Sequence, residues 1–134
     1  MEIKYLIISS VLVLLAGICN AVMDNLKFHW YKSVFSTLSN TRWYEPESWK
    51  NKYKNRDIEQ GEAFCGSTTI FVFVTDAWHF FQMLWRLFLT GAVVVSSFVG
   101  VEFSIIWMVG LFTLYSLLYL GAFNSFYDNI LNTD

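Results

Sequence analysis

The sequence predicts an all-α membrane protein with three transmembrane helices and one amphipathic interfacial helix. Of its 134 residues, 55% are hydrophobic and 19% aromatic, while only 15% are charged. A soluble domain of this size has too little interior to bury so much apolar surface. The charges are also clustered, because seven of the nine Lys and Arg residues lie between Lys27 and Arg56. These observations indicate a single polytopic membrane domain over residues 1–134.

The first apolar stretch, residues 3–23, predicts the first transmembrane helix. Its 21 residues would extend about 31 Å as an α-helix, which is one hydrocarbon thickness. A cleaved signal peptide is the alternative interpretation. The segment Cys19-Asn20-Ala21 is a weak cleavage site, and Ile18 does not fit a lipoprotein-type signal. The transmembrane interpretation is therefore favoured.

Residues 26–39 predict an amphipathic helix along the membrane surface, because their apolar side chains are spaced by three and four. The apolar stripe consists of Leu26, Trp30, Tyr31, Val34, Phe35 and Leu38. Asp24 or Asn25 could cap this helix if the chain bends there. Alternatively, the first helix continues through the segment.

The loop over residues 40–67 combines aromatic residues with basic ones and has no clean periodicity. A disordered linker would be poor in aromatics, so we expect this loop to fold back against the helices or the interface. Its positive charge predicts a cytoplasmic location, with the N-terminus outside. Acidic residues interleave with the basic ones, which argues against binding of nucleic acid.

The second span is predicted over residues 68–97 and the third over residues 103–123, followed by a polar tail over residues 124–134. The second stretch is about eight residues longer than an upright helix needs. We favour one long helix. The alternative is a helix that begins later, with Thr75 as its cap and residues 70–74 extended.

The candidate site lies at the start of the second span, where Asp76 and His79 share a helix face. Asn20 and Asp24, four residues apart on the first helix, form a second polar face at a matching depth, and His29 follows. If the two faces meet, Asp76 and His79 could form a catalytic acid–base pair.

The same residues could instead hold a divalent metal. The candidate ligands are Asp24, His29, Asp76 and His79, which offer oxygen and imidazole donors. The structural alternative is that Asp76 is a first-turn acid that complements the helix dipole, with His79 at the interface.

Substrate-binding residues are expected in the loop and along both helices. Trp49, Lys50 and Lys52 could hold an anionic headgroup, since each Lys near an anionic surface contributes about 1 kcal/mol. Ordinary aromatic and basic anchoring at the interface explains them equally well. Asn20 is a further candidate. Arg86 could snorkel, line a polar interior, hold a lipid phosphate, pair within an oligomer, or pair with Glu102.

Two motifs resemble a family of small uncharacterised bacterial integral membrane proteins. One is the loop that runs from Trp43 through Pro46 and Ser48-Trp49-Lys50-Asn51-Lys52-Tyr53, and the other is the helix start Thr75-Asp76-Ala77-Trp78-His79. The resemblance covers about half of the chain. It implies that the two motifs belong together and implies no activity.

We therefore expect a multi-pass protein of the bacterial inner membrane, with its long loop in the cytoplasm and a polar site at the cytoplasmic leaflet. That site would bind or act on a lipid headgroup or a small anion. Two alternatives are a homo-oligomeric channel or structural protein, and an accessory subunit of a larger membrane complex. The partner common to all three is the lipid bilayer.

Overall fold

The computed structural model describes residues 2–100 and 105–132, and this part of the chain is helical, without a β-strand. The helices are α1 (Ile3–Phe28), α2 (Thr41–Tyr44), α3 (Ala77–Ser96) and α4 (Ile105–Phe126). Helices α1, α3 and α4 are long and apolar enough to cross a membrane. The prediction of an all-α, multi-pass membrane protein is confirmed at this level.

Helix α1 lies between α3 and α4 and contacts each of them more extensively than they contact each other. Its buried face carries small residues, among them Ala16, Gly17 and Ala21. A side chain at Gly17 would come within 2.5 Å of the Tyr119 carbonyl oxygen. Small residues at such positions let membrane helices approach closely, which is how α1 and α4 pack.

The two ends of the helix bundle differ, and we call them the loop end and the far end. At the far end, the Glu2 amide donates to the Val99 carbonyl over 2.8 Å, so α1 starts where α3 finishes. At the loop end, Val22 near the end of α1 packs with Ala77 at the start of α3. Helices α1 and α3 are therefore antiparallel, and residues 29–76 cover the loop end.

The loop end has an apolar core that includes residues from the loop. Its buried members are Ala21, Val22, Leu26, Phe35, Ala77 and Leu131, and the surrounding partly buried ones are Trp30, Val34, Trp43, Tyr44, Trp78, Phe81, Phe123, Phe126 and Tyr127. Residues before and within the loop thus pack on all three long helices. This packing agrees with the expectation that an aromatic loop folds back.

The predicted amphipathic helix over residues 26–39 is not confirmed. Helix α1 continues to Phe28, and two 3-10 turns follow, Trp30–Lys32 and Val34–Thr37. The Ser33 hydroxyl donates to the Trp30 carbonyl over 2.7 Å, while the backbone of Ser33 is extended. Side-chain bonds of this kind compete with helical hydrogen bonding, so the segment forms short turns.

The favoured start of the second span at residue 68 is wrong, because α3 begins at Ala77. The alternative of a later start is correct, although the cap is Asp76 and not Thr75. Residues 70–74 are not extended either, since Val72–Val74 forms a 3-10 turn. Asp76 stops this turn and starts α3 because its backbone is extended and its carboxylate accepts a hydrogen bond from the His79 amide.

The third span is longer than predicted at its C-terminal end. Helix α4 ends at Phe126, and a π-helical turn, Tyr127–Leu131, continues into the region expected to be a polar tail. Leu131 is buried in the loop-end core, which explains why this part of the tail is ordered. The predicted start at residue 103, and Glu102, lie outside the described residues.

Candidate functional site

The candidate site is built around Asp76, a fully buried carboxylate at the start of α3. Its Oδ1 accepts a hydrogen bond from the His79 backbone amide over 3.0 Å. The Thr75 hydroxyl lies 3.0 Å from Asp76 Oδ2 and 2.7 Å from the Val72 carbonyl, and its one proton can serve either acceptor. An acid is favoured here because first-turn amides and the helix dipole stabilise negative charge.

The His79 side chain is oriented by the same carboxylate. Its Nδ1 lies 2.6 Å from Asp76 Oδ2. A carboxylate can only accept, so Nδ1 carries the proton in this bond and Nε2 is left as the second functional nitrogen. The side chain is 18% exposed, whereas that of Asp76 is completely buried. Nε2 is therefore the ring nitrogen of His79 that Asp76 does not engage.

Asp76 and His79 line a cleft of about 430 Å³ between the ends of the helices and the loop. The remaining lining residues are Leu26, Lys27, Tyr44, Glu45, Pro46, Ser48, Trp49, Lys52 and Trp78. This volume lies within the range of small-ligand sites. The walls combine aromatic rings with both signs of charge, as expected for a site that holds a polar group beside an apolar one.

The loop is held against the start of α3 by Asn51. The Asn51 amide donates to the Thr75 carbonyl over 3.1 Å and to the Arg42 carbonyl over 2.9 Å. In the next part of the loop, the Ser67 hydroxyl donates to the Lys52 carbonyl over 2.7 Å. These bonds tie the segment that carries Trp49 and Lys52 to the helix that carries the acid–imidazole pair.

The charges in the cleft are unevenly compensated. Glu45 forms an ion pair with Arg56, with 2.6 Å between Oε1 and the guanidinium nitrogen. Lys27 and Lys52 have no ion pair within the described part of the chain. The Lys52 ammonium lies over the Trp49 and Tyr53 rings, 5.8 and 5.4 Å from their centroids. Two ammonium groups are thus available to an incoming anion.

Four of the residues predicted from the sequence come together in this cleft: Asp76, His79, Trp49 and Lys52. Lys50 does not line it, because its ammonium pairs with Glu47 over 2.8 Å. A hydrogen bond from Lys50, together with its charge, holds the pKa of Glu47 below the ordinary value. Lys50 is therefore committed to a partner on the loop surface.

The predicted meeting of polar faces from the first and second spans does not occur. Asn20 and Asp24 do not line the cleft, to which α1 contributes Leu26 and Lys27. The α1 surface that meets Ala77 consists of apolar side chains of the loop-end core.

The predicted metal ligands, Asp24, His29, Asp76 and His79, are not brought together as a group in the described part of the chain. Residues 2–100 and 105–132 contain no group of three or more His, Cys, Asp or Glu side chains that could hold a metal ion. Asp24 lies near Lys27 and His29, and the His29 ring makes an edge contact with Tyr127 at 5.4 Å. Asp24 and His29 thus lie apart from the Asp76–His79 pair.

Arg86 lies outside the cleft, on the exposed surface of α3. Sequence reasoning missed Lys27, Tyr44, Glu45 and Trp78 as cleft residues. Trp78 could have been predicted as a cleft residue, because it is next to His79 in the sequence. The other three depend on how the loop and the end of α1 pack, which no local pattern reveals.

In comparisons with known proteins, no protein-family model, curated protein or solved structure matches the chain. The resemblance of the two motifs to small bacterial membrane proteins is therefore unsupported by these comparisons.

Proposed function

We propose that this membrane protein binds a molecule with a phosphate-type anionic group, in the first instance a lipid headgroup, in the loop-end cleft. We further propose that His79 exchanges a proton with the bound molecule. One observation carries this proposal: the imidazole that Asp76 orients lines the same cleft as Lys27 and Lys52, which form no ion pair with another described residue.

The charge balance favours an anion over a cation. Glu45 is neutralised by Arg56, and Asp76 is buried and hydrogen-bonded to His79. With Glu45 matched by Arg56, the ammonium groups of Lys27 and Lys52 outnumber the one remaining carboxylate of the cleft, that of Asp76. Each Lys near an anionic surface is worth about 1 kcal/mol, so the two together would favour an anionic headgroup by about 2 kcal/mol.

The position of the cleft favours a ligand anchored in the membrane. It lies where α1 ends and α3 begins, and both helices are long and apolar enough to cross a bilayer. Trp49 and Trp78 line its wall, and tryptophan rings are typical of the headgroup region. A phospholipid could place its headgroup in the cleft while its acyl chains stay among the helices.

The Asp76–His79 arrangement supports proton exchange. Asp76 fixes the ring and stabilises the imidazolium that forms when Nε2 accepts a proton. A phosphate monoester headgroup has a second ionisation close to that of a free imidazole, so its acidic oxygen can pass a proton to this nitrogen and take it back. The same imidazolium would add a third positive charge beside the anion.

We also propose that the loop end faces the cytoplasm and that the membrane is a bacterial inner membrane. The clustering of Lys and Arg between Lys27 and Arg56 supports this orientation through the positive-inside rule. The exposed Cys65 of the loop and the buried Cys19 of α1 provide a test. A membrane-impermeant maleimide should label Cys65 in inverted vesicles and not in intact spheroplasts; labelling in spheroplasts would contradict the orientation.

The binding proposal is tested with the purified full-length protein in nanodiscs of phosphatidylcholine that contain increasing fractions of phosphatidic acid. Tryptophan fluorescence should report saturable binding, and Lys52→Gln should weaken it about fivefold, the equivalent of about 1 kcal/mol. Lys54→Gln is the matched control, since Lys54 is exposed and does not line the cleft. Addition of soluble glycerol phosphate then shows whether the cleft binds a free phosphate anion or requires the phosphate of a lipid headgroup.

Two results would contradict this proposal. One is a fluorescence response that is the same for phosphatidic acid and for phosphatidylcholine alone. The other is an equal effect of Lys52→Gln and Lys54→Gln, which would place the anion on the loop surface. For the proton-exchange step, the imidazole signal of His79 in NMR spectra should shift on binding. A His79 signal that is unchanged by ligand would refute that step alone.

A further inference from the structure

The outward face of α3 carries polar side chains in the middle of a candidate membrane span. Gln82, Arg86 and Thr90 follow one another at intervals of four residues, so they lie in one row along the helix. Arg86 and Thr90 are exposed, as are Leu87 and Val93 beside them. The opposite side of α3 is buried against α1 at Ala77 and Ala92.

Arg86 has no hydrogen bond or ion pair within residues 2–100 and 105–132. It lies nine residues after Ala77, the first residue of α3, which is about 14 Å along the helix axis. This distance exceeds the length of an arginine side chain, so snorkelling towards the loop end would leave the guanidinium within the span. A charge at this depth is costly unless an anion or a hydrogen-bond acceptor meets it.

The carboxylates of the three candidate spans do not lie at the depth of Arg86. They are Asp24 and Asp128, both near the loop end. Trp85, next to Arg86, donates to the Tyr119 hydroxyl over 3.0 Å, and Tyr119 packs beside Gly17. Arg86 is therefore level with Gly17, seven residues or about 10 Å from Asp24 along α1.

The difference in depth between Arg86 and these carboxylates helps to identify the molecule that could cover the outward face of α3. A second copy related by an axis normal to the membrane keeps every residue at its own depth. From residues 2–100 and 105–132, such a copy would offer Arg86 no carboxylate at the same level. Charge complementarity consequently favours a different protein over self-association.

We propose that the outward face of α3 is an interface for a transmembrane helix of another protein, and that this helix carries a carboxylate near its middle. Arg86 would form a bidentate ion pair with that carboxylate. Gln82 and Thr90, one helical turn to either side, would hydrogen-bond to the same helix. This inference is independent of the proposed headgroup site.

The test uses a defined probe, a synthetic polyleucine-type transmembrane helix with one central Glu and an acceptor dye. The full-length protein carries a donor dye on the exposed Cys65, and both are reconstituted in phosphatidylcholine vesicles at pH 8. Energy transfer should exceed that of the same helix with Leu in place of Glu. Arg86→Leu should weaken association about tenfold, whereas Arg86→Lys should retain most of it.

Several outcomes would overturn the proposal. Equal transfer with the Glu and Leu probes would mean that lipid alone accommodates Arg86. Transfer between two labelled copies of the protein that depends on Arg86 would identify the partner as a second copy. If Glu102→Gln strengthened association with the Glu probe, the charge of Arg86 would be matched within the chain. Because Arg86→Leu places an apolar side chain on an exposed helix surface, we expect this variant to fold.

Discussion

The two ends of the helix bundle are held together by different kinds of interaction. At the loop end, a continuous apolar core joins all three long helices to the segment that follows α1. At the far end, helices α3 and α4 leave between them an apolar groove of about 750 Å³, lined by residues such as Leu89, Val93 and Phe112. The loop end has an interior, whereas the far end is open to its surroundings.

Hydroxyl groups connect the helices near the far end. The Tyr115 hydroxyl lies 2.5 Å from the Ser9 hydroxyl on α1 and 2.9 Å from the Ser96 hydroxyl on α3. One side chain of α4 thus bridges both neighbouring helices. In lipid there is no hydrophobic drive between helices, so hydrogen bonds and close packing take its place. The loop end, which is covered by its own chain, can use burial from water.

Among the substitutions that test this comparison, Phe35→Ala at the loop end is expected to have the largest effect on stability. Phe35 is 8% exposed and stacks on Tyr44, with 5.5 Å between the ring centroids. Removing a buried phenylalanine typically costs 3–5 kcal/mol, so we expect a loss of about 4 kcal/mol in the free energy of unfolding. The measurement is denaturant-induced unfolding in detergent micelles, followed by tryptophan fluorescence.

Phe112→Ala is the matched control at the far end. Phe112 lines the groove and is 75% exposed. Detergent or lipid chains cover this side chain in both the folded and the dissociated helices, so its removal should change stability by less than about 1 kcal/mol. Similar losses for the two variants would show that the far end also has a packed interior, and the contrast between the ends would fail.

The contrast also explains how much of the fold could be predicted from the sequence. Three long apolar stretches were sufficient to predict three spanning helices, because hydropathy summed over a helix is a strong signal. The start of α3 was harder to place, because residues 70–74 are as apolar as the helix itself. Asp76 determines the start through hydrogen bonds to Thr75 and His79, and several polar residues before it were equally suitable caps by composition.

The candidate site, like the fold, could be predicted from the sequence only in part. The pairing of Asp76 with His79 follows from a spacing of three on one helix, so the sequence predicted it. Whether Asn20 and Asp24 meet this pair depends on how α1 is rotated about its own axis. That rotation is set by the packing of apolar residues in the loop-end core. The contribution of Lys27 depends on the same rotation. Local patterns identified the chemical groups, whereas tertiary packing selected which of them meet.

The smallest expected effect concerns the outer surface of the loop end, where charges and not apolar packing hold the chain. Glu62 accepts hydrogen bonds from the Thr68 hydroxyl and from the Gly66 amide, the latter over 3.0 Å. These bonds hold the pKa of Glu62 below its ordinary value of 4.5. The stabilisation of this turn is therefore complete above pH 4.5 and is lost as the pH falls through the lowered pKa.

We expect hydrogen exchange at the Gly66 amide, corrected for its intrinsic pH dependence, to be constant above pH 4.5 and to accelerate below it. Glu62→Gln should abolish this acceleration, whereas Glu59→Gln, an exposed substitution in the preceding turn, should leave it unchanged. Over the same pH range the tryptophan fluorescence of the loop-end core should stay constant, because apolar burial does not titrate. If the core signal changed together with Gly66 exchange and Glu62→Gln removed both changes, the loop surface and the core would unfold as one unit. The loop end would then depend on its charged surface as well as on its apolar interior.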